Sequence, residues 1–515
     1  MGIVSVLTVV VALLGYLREA ALAARFGVSA TMDAYFSAIF IPTMVYMVLI
    51  AGTLSPLFIP ILLQQDANED RAKLSETFSI ITNFVMLFLA AIVCCAIITA
   101  RKWLQFLFPG FGVETTEITL HLVYIIFPSV LFVAMAGLLT AVLNGFGKFA
   151  LAAIAPALSS LTVVTAVVIA RGPQAIYSVG IATAVGFLLQ LLLLIPAIIS
   201  LGIRYRPRFS FHHPAIGKLL RLGGPLLLYL VVANASLFLE RNLASRLSSG
   251  AVSTVTYVMR LFAVPSNFLA APLAIVAYPQ FAREALRPKW GDLSTQVLRM
   301  FRLVLYIFVP VTLWTVLNAL PLTRLLYERG QFRLEDSLLT ARVFSLYGIG
   351  ILPNAIAVAL LPCFYAMQDT ISPLWAEAVD LLFYLVVAIF LMHRFGLLGL
   401  AVSRGMQFYL FAAMLVFVLF RRRLLKIDSD LLRFSGCVGL ASLFTAAASW
   451  IILYLLRGAF DSGMLAMRLG IVCVMVVASA MVYLSVTRVL KLREADQVLN
   501  AALDLLRWPH SVPAQ

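Results

Sequence analysis

The chain opens Met1-Gly-Ile-Val-Ser-Val-Leu-Thr-Val-Val-Val-Ala-Leu-Leu-Gly-Tyr-Leu17, continues Arg18-Glu19, and returns to Ala20-Ala-Leu-Ala-Ala24. About 20 apolar residues at 1.5 Å each cross a bilayer core as a helix, so this stretch reads as a membrane span with two charges near its inner end. A charge at the centre of such a helix costs roughly 2.5–3.5 kcal/mol on insertion scales, and a retained one normally faces a polar cavity or a partner. Neighbours on a helix point about 100° apart, so Arg18 and Glu19 do not share a face and each is expected to find its own partner or its own contact with water. A helix end whose charges snorkel to the interface is the alternative. The pattern recurs at Glu240-Arg241 and at Arg260, which favours a shared polar interior.

Composition fixes the class. Of 515 residues, 63% are hydrophobic and 12% charged, and the mean hydropathy is +1.02. Soluble chains carry near 25% charged residues. Apolar runs of about 20 residues recur along the whole length, and only helices or closed barrels satisfy their backbone in hydrocarbon. Unbroken runs of Leu, Ile, Val and Ala select helices. The first run leads into another span with no small-residue cleavage site, so no cleavable signal peptide is expected.

The expected fold is an all-α polytopic membrane protein of about fourteen transmembrane helices, at approximately 2–24, 34–63, 77–99, 118–146, 149–171, 175–201, 218–247, 251–283, 297–319, 337–367, 372–393, 397–420, 431–456 and 466–488. Runs near 30 residues must tilt, kink or project beyond the bilayer. Pro42 and Pro56, Pro265 and Pro272, and Pro353 and Pro362 fall inside the second, eighth and tenth spans, where proline removes a hydrogen bond and bends the helix. Kinked spans suit a transporter that opens alternately to two sides.

Charge orients the bundle. Connections after even-numbered spans carry Arg71 and Lys73; Lys148; Arg204, Arg206, Arg208 and Lys218; Arg283, Arg287 and Lys289; and Arg421, Arg422, Arg423 and Lys426, and the tail adds Arg488, Lys491, Arg493 and Arg507. The opposite side has roughly half as many, among them Arg101, Lys102, Arg171, Arg246, Arg324, Arg329, Arg394 and Arg457. The positive-inside rule then places both termini in the cytoplasm. The net charge of +15 is accounted for by topology and attraction to anionic headgroups, and no nucleic-acid partner is expected.

Cys94, Cys95, Cys363, Cys437 and Cys473 have no metal-ligand spacing, and the five histidines do not cluster; His212-His213 reads as a solvated loop. Phosphate loops, nucleophile elbows and ATP modules are absent from the sequence, so neither enzyme activity nor a cofactor is expected. Transport would then be driven by an ion gradient, the membrane potential or the substrate's own gradient.

The basic connection also divides the chain. The expected organisation is a first lobe over 1–201, the connection over 202–217, a second lobe over 218–426, two further helices over 427–488 and a cytoplasmic tail over 489–515. Two six-helix lobes related by a pseudo-twofold repeat place a site at their interface. Arg18, Glu19 and Asp33 then come from the first lobe, and Glu240, Arg241 and Arg260 from corresponding spans of the second. Structural ion pairs that lock helices together are the competing role for these charges.

Gly15-Tyr-Leu-Arg18-Glu19, Ala24-Arg25-Phe-Gly27 and Asp33-Ala-Tyr-Phe36 resemble the opening of the MurJ (MviN) lipid II flippase family. So do Pro42, Gly52-Thr-Leu-Ser-Pro-Leu-Phe-Ile-Pro60, Asn144-Gly-Phe-Gly-Lys-Phe149 with Ala155-Pro156, and then Gly224-Pro225 and Glu240-Arg241-Asn-Leu-Ala-Ser245. Ser249-Gly-Ala-Val-Ser-Thr-Val-Thr-Tyr-Val-Met-Arg260-Leu261, Leu326-Tyr-Glu-Arg-Gly330-Gln-Phe332, Phe364-Tyr365-Ala-Met-Gln368-Asp369-Thr370 and Pro373 continue the likeness in order over nearly the whole chain. The resemblance implies a fourteen-helix member of the multidrug/oligosaccharidyl-lipid/polysaccharide exporter superfamily in the bacterial cytoplasmic membrane. It also implies a task, moving undecaprenyl-diphosphate-linked disaccharide-pentapeptide to the outer leaflet for peptidoglycan synthesis. Arg18 and Arg260 match positions where the family uses cavity arginines, so the resemblance assigns them to the diphosphate, with Glu19 orienting Arg18. It gives Asp33, Glu240 and Arg241 cavity electrostatics or gating. A monomer among membrane lipids is expected.

Several family charges are missing. Ala12 stands where a second arginine is usual, Tyr46 and Met47 where basic residues are, and Ala51 and Ala263 where acidic ones are. A charge-assisted hydrogen bond is worth roughly 1.5–3 kcal/mol, so the phosphate clamp is expected to be thinner. The start Met1-Gly-Ile-Val is shorter than the family's usual one, so the natural start is expected a few residues upstream. Two other functions compete with lipid II flipping: export of lipid-linked exopolysaccharide or O-antigen units, and a non-transporting membrane scaffold.

Overall fold

The structure, a computed structural model, describes residues 2–48, 71–172, 174–208, 210, 213–286 and 290–496. The far half of the expected second span with Ala51 and Pro56, His212, Arg287, Lys289 and most of the tail lie outside them. The described residues are helical, without strands. Among the described residues, twelve helices are long and apolar enough to cross a membrane, and a pair bent by 43°, Leu334–Gly348 with Ile351–Ala366, makes a thirteenth if it is one span. The protein is a polytopic membrane protein.

The first ten helices are α1 (Gly2–Phe26), α2 (Ala30–Val45), α3 (Arg71–Ile98), α4 (Ala100–Leu107), α5 (Val113–Ile126), α6 (Val130–Gly145), α7 (Phe149–Ile154), α8 (Pro156–Ile169), α9 (Ala175–Ser200) and α10 (Pro214–Ser245). They are followed by α11 (Ala251–Pro265), α12 (Ala271–Ala285), α13 (Trp290–Leu317), α14 (Ala319–Tyr327), α15 (Leu334–Gly348), α16 (Ile351–Ala366), α17 (Ile371–Arg421), α18 (Ser429–Leu455), α19 (Arg457–Ser462) and α20 (Leu465–Val489).

Fourteen separate spans are not what these helices give; the difference lies in α17. Its 51 residues contain one non-helical residue, Gly396, at φ 58° and ψ −132°. Glycine alone populates that region without a Cβ penalty. Asp380 and Gln407, 27 residues apart, are hydrogen bonded at 2.6 Å, whereas a straight helix would separate them by about 40 Å. The chain therefore doubles back at Gly396, and α17 is two antiparallel apolar segments.

Of the expected proline breaks, the one at 265–272 is present, whereas α2 and α16 continue through Pro42 and Pro362. Pro265 ends α11, a wide π turn over Ser266–Ala270 follows, and Pro272 stands in the first turn of α12. Pro310, inside α13, leaves the Tyr306 carbonyl without its helical donor. The Tyr483 hydroxyl of α20 donates to that carbonyl at 2.6 Å, and the Tyr306 hydroxyl meets Thr487 Oγ1 at 3.0 Å.

Contacts divide the chain into two compact units, residues 1–256 with 327–336, and residues 257–326 with 337–515. The connection at 202–217, where lobes were expected to part, lies inside the first. In that unit α2 packs on α5, and α9 on α6 and α8. The reason α10 belongs there is local: the Asn242 amide donates to the Phe106 and Leu107 carbonyls at 3.0 and 3.1 Å. A Cβ on Gly110 would come within 2.1 Å of the Ser245 carbonyl oxygen, so only glycine permits that approach. In the second unit Phe281, Val297, Leu360, Phe364, Leu415 and Leu419 form one apolar core. Phe434, Val438 and Tyr483 build another around Tyr306.

Pairings between connections agree with helices that alternate in direction. In the first unit Arg25, after the first span, donates to the Ala170 carbonyl after the fifth at 3.1 Å. In the second, Arg422 pairs with Asp369, and Arg324 with Asp461.

Candidate functional site

In α1 the Arg18 guanidinium reaches across to its neighbour and donates from Nη2 to Glu19 Oε1 at 2.8 Å. The expectation of separate partners on separate faces does not hold for this contact, because the long arginine side chain spans the angle between them. Glu19 is 3% exposed and the Arg18 side chain 18%. The pair is thus a nearly neutral unit inside an apolar helix, and its exposed part belongs to the Arg18 side chain. Ala12, six residues earlier, offers no charge.

Asp33 sits at 3% exposure in the first turn of α2, whose N-cap Ser29 accepts from the Met32 N–H at 3.2 Å. Its carboxylate faces the start of α11: Oδ2 accepts from the Gly250 N–H and Oδ1 from the Ser253 N–H, both at 2.7 Å. Those N–H groups have no partner within their own helix, and the positive end of the helix dipole favours the anion. Gly250 is at φ 89°, and a Cβ there would come within 2.4 Å of Val28.

One other motif segment closes onto the same stretch of chain. The Gln331 N–H donates to the Ala24 carbonyl at 2.8 Å. A Cβ on Gly330, at φ 55°, would lie 2.2 Å from that carbonyl oxygen, and one on Gly27, at φ 61°, 2.7 Å from the carbonyl oxygen of Gln331. The motifs at 24–36, 249–256 and 330–332, distant in sequence, therefore meet because glycine allows their backbones to touch.

Glu240 and Arg241 are 1% and 8% exposed in α10. Arg241 lies 4.3 Å over the Phe40 ring and donates from Nη1 to Thr256 Oγ1 at 3.2 Å. It also acts electrostatically on Asp33. Phe40 in turn meets Phe238 edge to face, with centroids 4.9 Å apart. The structure thus gathers Asp33 and Arg241 in the first unit, which also contains Arg18, Glu19 and Glu240. Arg260 is exposed on α11 in the second unit.

Sequence reasoning passed over a buried network in the second unit. Arg404 donates from Nη1 to Gln407 Oε1, and Gln407 from Nε2 to Asp380 Oδ2, both at 2.6 Å. Arg404 also lies 5.4 Å over Tyr384 and 5.1 Å over Phe408. Glu377, one turn before Asp380, acts on both charged groups. Oδ1 of Asp380 meets no donor among the described residues. The signal was available: charges at 377, 380 and 404 lie inside apolar spans and obey the rule that singled out Arg18.

The second unit also contains an apolar cavity of about 630 Å³, lined among others by Leu261, Phe268, Pro310, Trp314, Val476 and Tyr483. No cluster of metal-ligating side chains occurs among the described residues.

With this geometry in place, comparison with known proteins is specific. The family described as Lipid II flippase MurJ matches residues 22–487. A probable lipid II flippase MurJ of Buchnera aphidicola subsp. Acyrthosiphon pisum is 24% identical over 460 residues, 88% of this chain and 89% of that protein. One of Vibrio cholerae is 27% identical over 424 residues, 80% and 81% of the two chains. A solved lipid II flippase MurJ in an inward closed conformation aligns with a TM-score of 0.80 at 21% identity, covering 95% of this chain and 99% of that one. An inward-facing multidrug transporter of the MATE family, MOP superfamily, aligns at 0.67 and 15% identity over 79% and 94%. At such identities the solved structures establish the fold alone. The family match over 22–487, on a polytopic helical fold whose motif segments meet as described, places this chain in the MurJ lipid II flippase family.

Proposed function

We propose that this protein is a transporter, not an enzyme, and that it moves lipid II from the inner to the outer leaflet of the bacterial cytoplasmic membrane by alternating access. The observation that carries this reading is the family match over 22–487. The substrate's chemistry agrees with it. A diphosphate does not cross hydrocarbon unaided, and a planar guanidinium binds phosphate oxygens through paired hydrogen bonds. Arg18 is a guanidinium within an apolar span, its charge balanced by Glu19 in this structure. On this reading diphosphate oxygens take the Arg18 donors that Glu19 does not, and Arg260 supplies the second contact. The apolar cavity of the second unit offers surface of the kind an isoprenoid chain requires. Asp33, Glu240 and Arg241 set the electrostatics and the latch that must open during the cycle.

The two-lobe repeat with a central site, a monomeric state and the lack of a cofactor belong to the same proposal, as do cytoplasmic termini, which the charge asymmetry of the connections supports. Complementation of a strain depleted of its lipid II flippase tests the function. Growth restored by the wild-type chain is expected; failure at normal membrane levels would reject it. Retention of full activity by both Arg18→Ala and Arg260→Ala would reject the clamp.

A further inference from the structure

Ser75, Ser79 and Asn83 recur every four residues along α3, and each is bonded to a stretch of backbone that is neither helix nor strand. Ser75 Oγ accepts from the Arg204 N–H at 3.1 Å, and Ser79 Oγ from the Arg206 N–H at 2.9 Å. Asn83 Nδ2 donates to the Arg208 carbonyl at 2.9 Å, while the Tyr205 hydroxyl donates to Asn83 Oδ1 at 2.6 Å. The spacings match. Four helical residues rise about 6 Å, and two extended residues cover about 6.6 Å, so 204–206 run alongside α3 in register. The chain then turns at Pro207, with the Arg208 N–H on the Arg206 carbonyl at 2.7 Å.

This strap is placed where backbone is difficult to accommodate. The apolar span of α3 begins at Ala72, so the ladder occupies its first turns. Non-helical backbone beside a span is tolerated where protein satisfies its polar groups and its other side meets water or headgroups. The ladder does the first, and the exposed side chains of Arg204, Arg206 and Arg208 show the second. Arg208 is drawn back toward the start of α3, its Nη1 on Glu76 Oε1 at 2.7 Å. No ion pair engages Arg204 or Arg206 among the described residues, which leaves two guanidiniums on an anchored backbone.

We propose that Arg204 and Arg206 form a binding site for the phosphate of an anionic phospholipid headgroup, and that Ser75, Ser79 and Asn83 hold it in shape. A fixed backbone lowers the ordering cost of binding, and guanidinium forks match phosphate oxygens. Basic groups beside the first turns of a span lie where headgroups are found. The site stands apart from lipid II transport and does not depend on it.

Native mass spectrometry of the full-length protein in non-ionic detergent tests the site, with dioleoyl phosphatidylglycerol as probe and dioleoyl phosphatidylcholine as reference. The wild type binds phosphatidylglycerol more tightly. R204Q/R206Q lowers that affinity roughly tenfold and leaves phosphatidylcholine unchanged. S75A/S79A keeps every charge and still lowers it roughly threefold, because order is lost. Should S75A/S79A not purify as folded protein, N83A carries the same expectation. R421Q/R423Q, an equal loss of charge elsewhere, leaves it at the wild-type value. Unchanged affinity in R204Q/R206Q or in the ladder variant, or an equal loss in R421Q/R423Q, would overturn the proposal. Displacement of phosphatidylglycerol by substoichiometric undecaprenyl diphosphate would also overturn it, by assigning the strap to isoprenoid diphosphates.

Discussion

Asp33 and Asp380 are equally buried, each 3% exposed, and each lies in an apolar helix, yet they are held by opposite means. Both oxygens of Asp33 accept from backbone N–H groups at the start of α11. Asp380 has one donor, the Gln407 side chain, which is itself held by Arg404, and its other oxygen meets none among the described residues. Backbone donors cannot rotate away or reverse polarity, whereas an amide side chain can. The first carboxylate is therefore a rigid latch between α2 and α11, and the second is the end of an adjustable chain across the doubled helix α17.

The same isosteric change separates the two. Asp33→Asn turns an amide NH2 toward a backbone N–H, leaves a buried donor unsatisfied, and is expected to lower stability by about 2–4 kcal/mol. Asp380→Asn keeps an oxygen for Gln407 and places its NH2 where no donor stands, so the expected change is within about 1 kcal/mol. Unfolding of the purified protein in detergent measures both, and equal losses would remove the distinction. Gly330→Ala comes next, because a Cβ would stand 2.2 Å from the Ala24 carbonyl oxygen at positive φ; about 1–3 kcal/mol is expected. Gln407→Ala breaks the link between Arg404 and Asp380 and costs about 1–3 kcal/mol. In the double variant Gln407→Ala/Asp380→Ala that loss should shrink, since the unsatisfied acid is gone.

The smallest effect concerns pH and a third carboxylate, outside the spans. Burial pushes the Asp369 carboxyl up, but hydrogen bonds from Ser372 and the Arg422 guanidinium outweigh it and hold the group below its ordinary 3.8. A depressed carboxylate stabilises the folded state above its unfolded value and loses that contribution as pH falls through the folded value. Stability should therefore be flat with respect to Asp369 from pH 7 to 5 and decline below about pH 4, and Asp369→Asn should remove that part of the decline. A decline that survives unchanged in Asp369→Asn would show that other carboxylates cause it.

The helical membrane fold was legible because the bilayer imposes a length and an apolar run on every span, and the prolines marked the breaks at 265–272. The doubling of α17 was legible as two runs, 372–393 and 397–420, and Gly396 stands between them as the one non-helical residue. Side-chain partners were another matter. Arg18 and Glu19 pair with each other despite adjacent positions, since helical angle fixes Cβ directions and not where a long side chain ends. Asp33 gave no hint that its partners would be backbone groups more than 200 residues away. Gln407 and Asn83 are neutral, so a search for charges passed over the residues that order the charged ones.

The central claim is that this chain carries lipid II across the membrane with Arg18 on its diphosphate. The direct measurement is outer-leaflet lipid II in cells depleted of their own flippase, read by cleavage with an externally added enzyme that reaches only that leaflet. The account predicts that the wild-type chain restores cleavage and that Arg18→Ala, at equal membrane abundance, does not. Cleavage left at the depleted level by the wild type, or restored equally by Arg18→Ala, would contradict it.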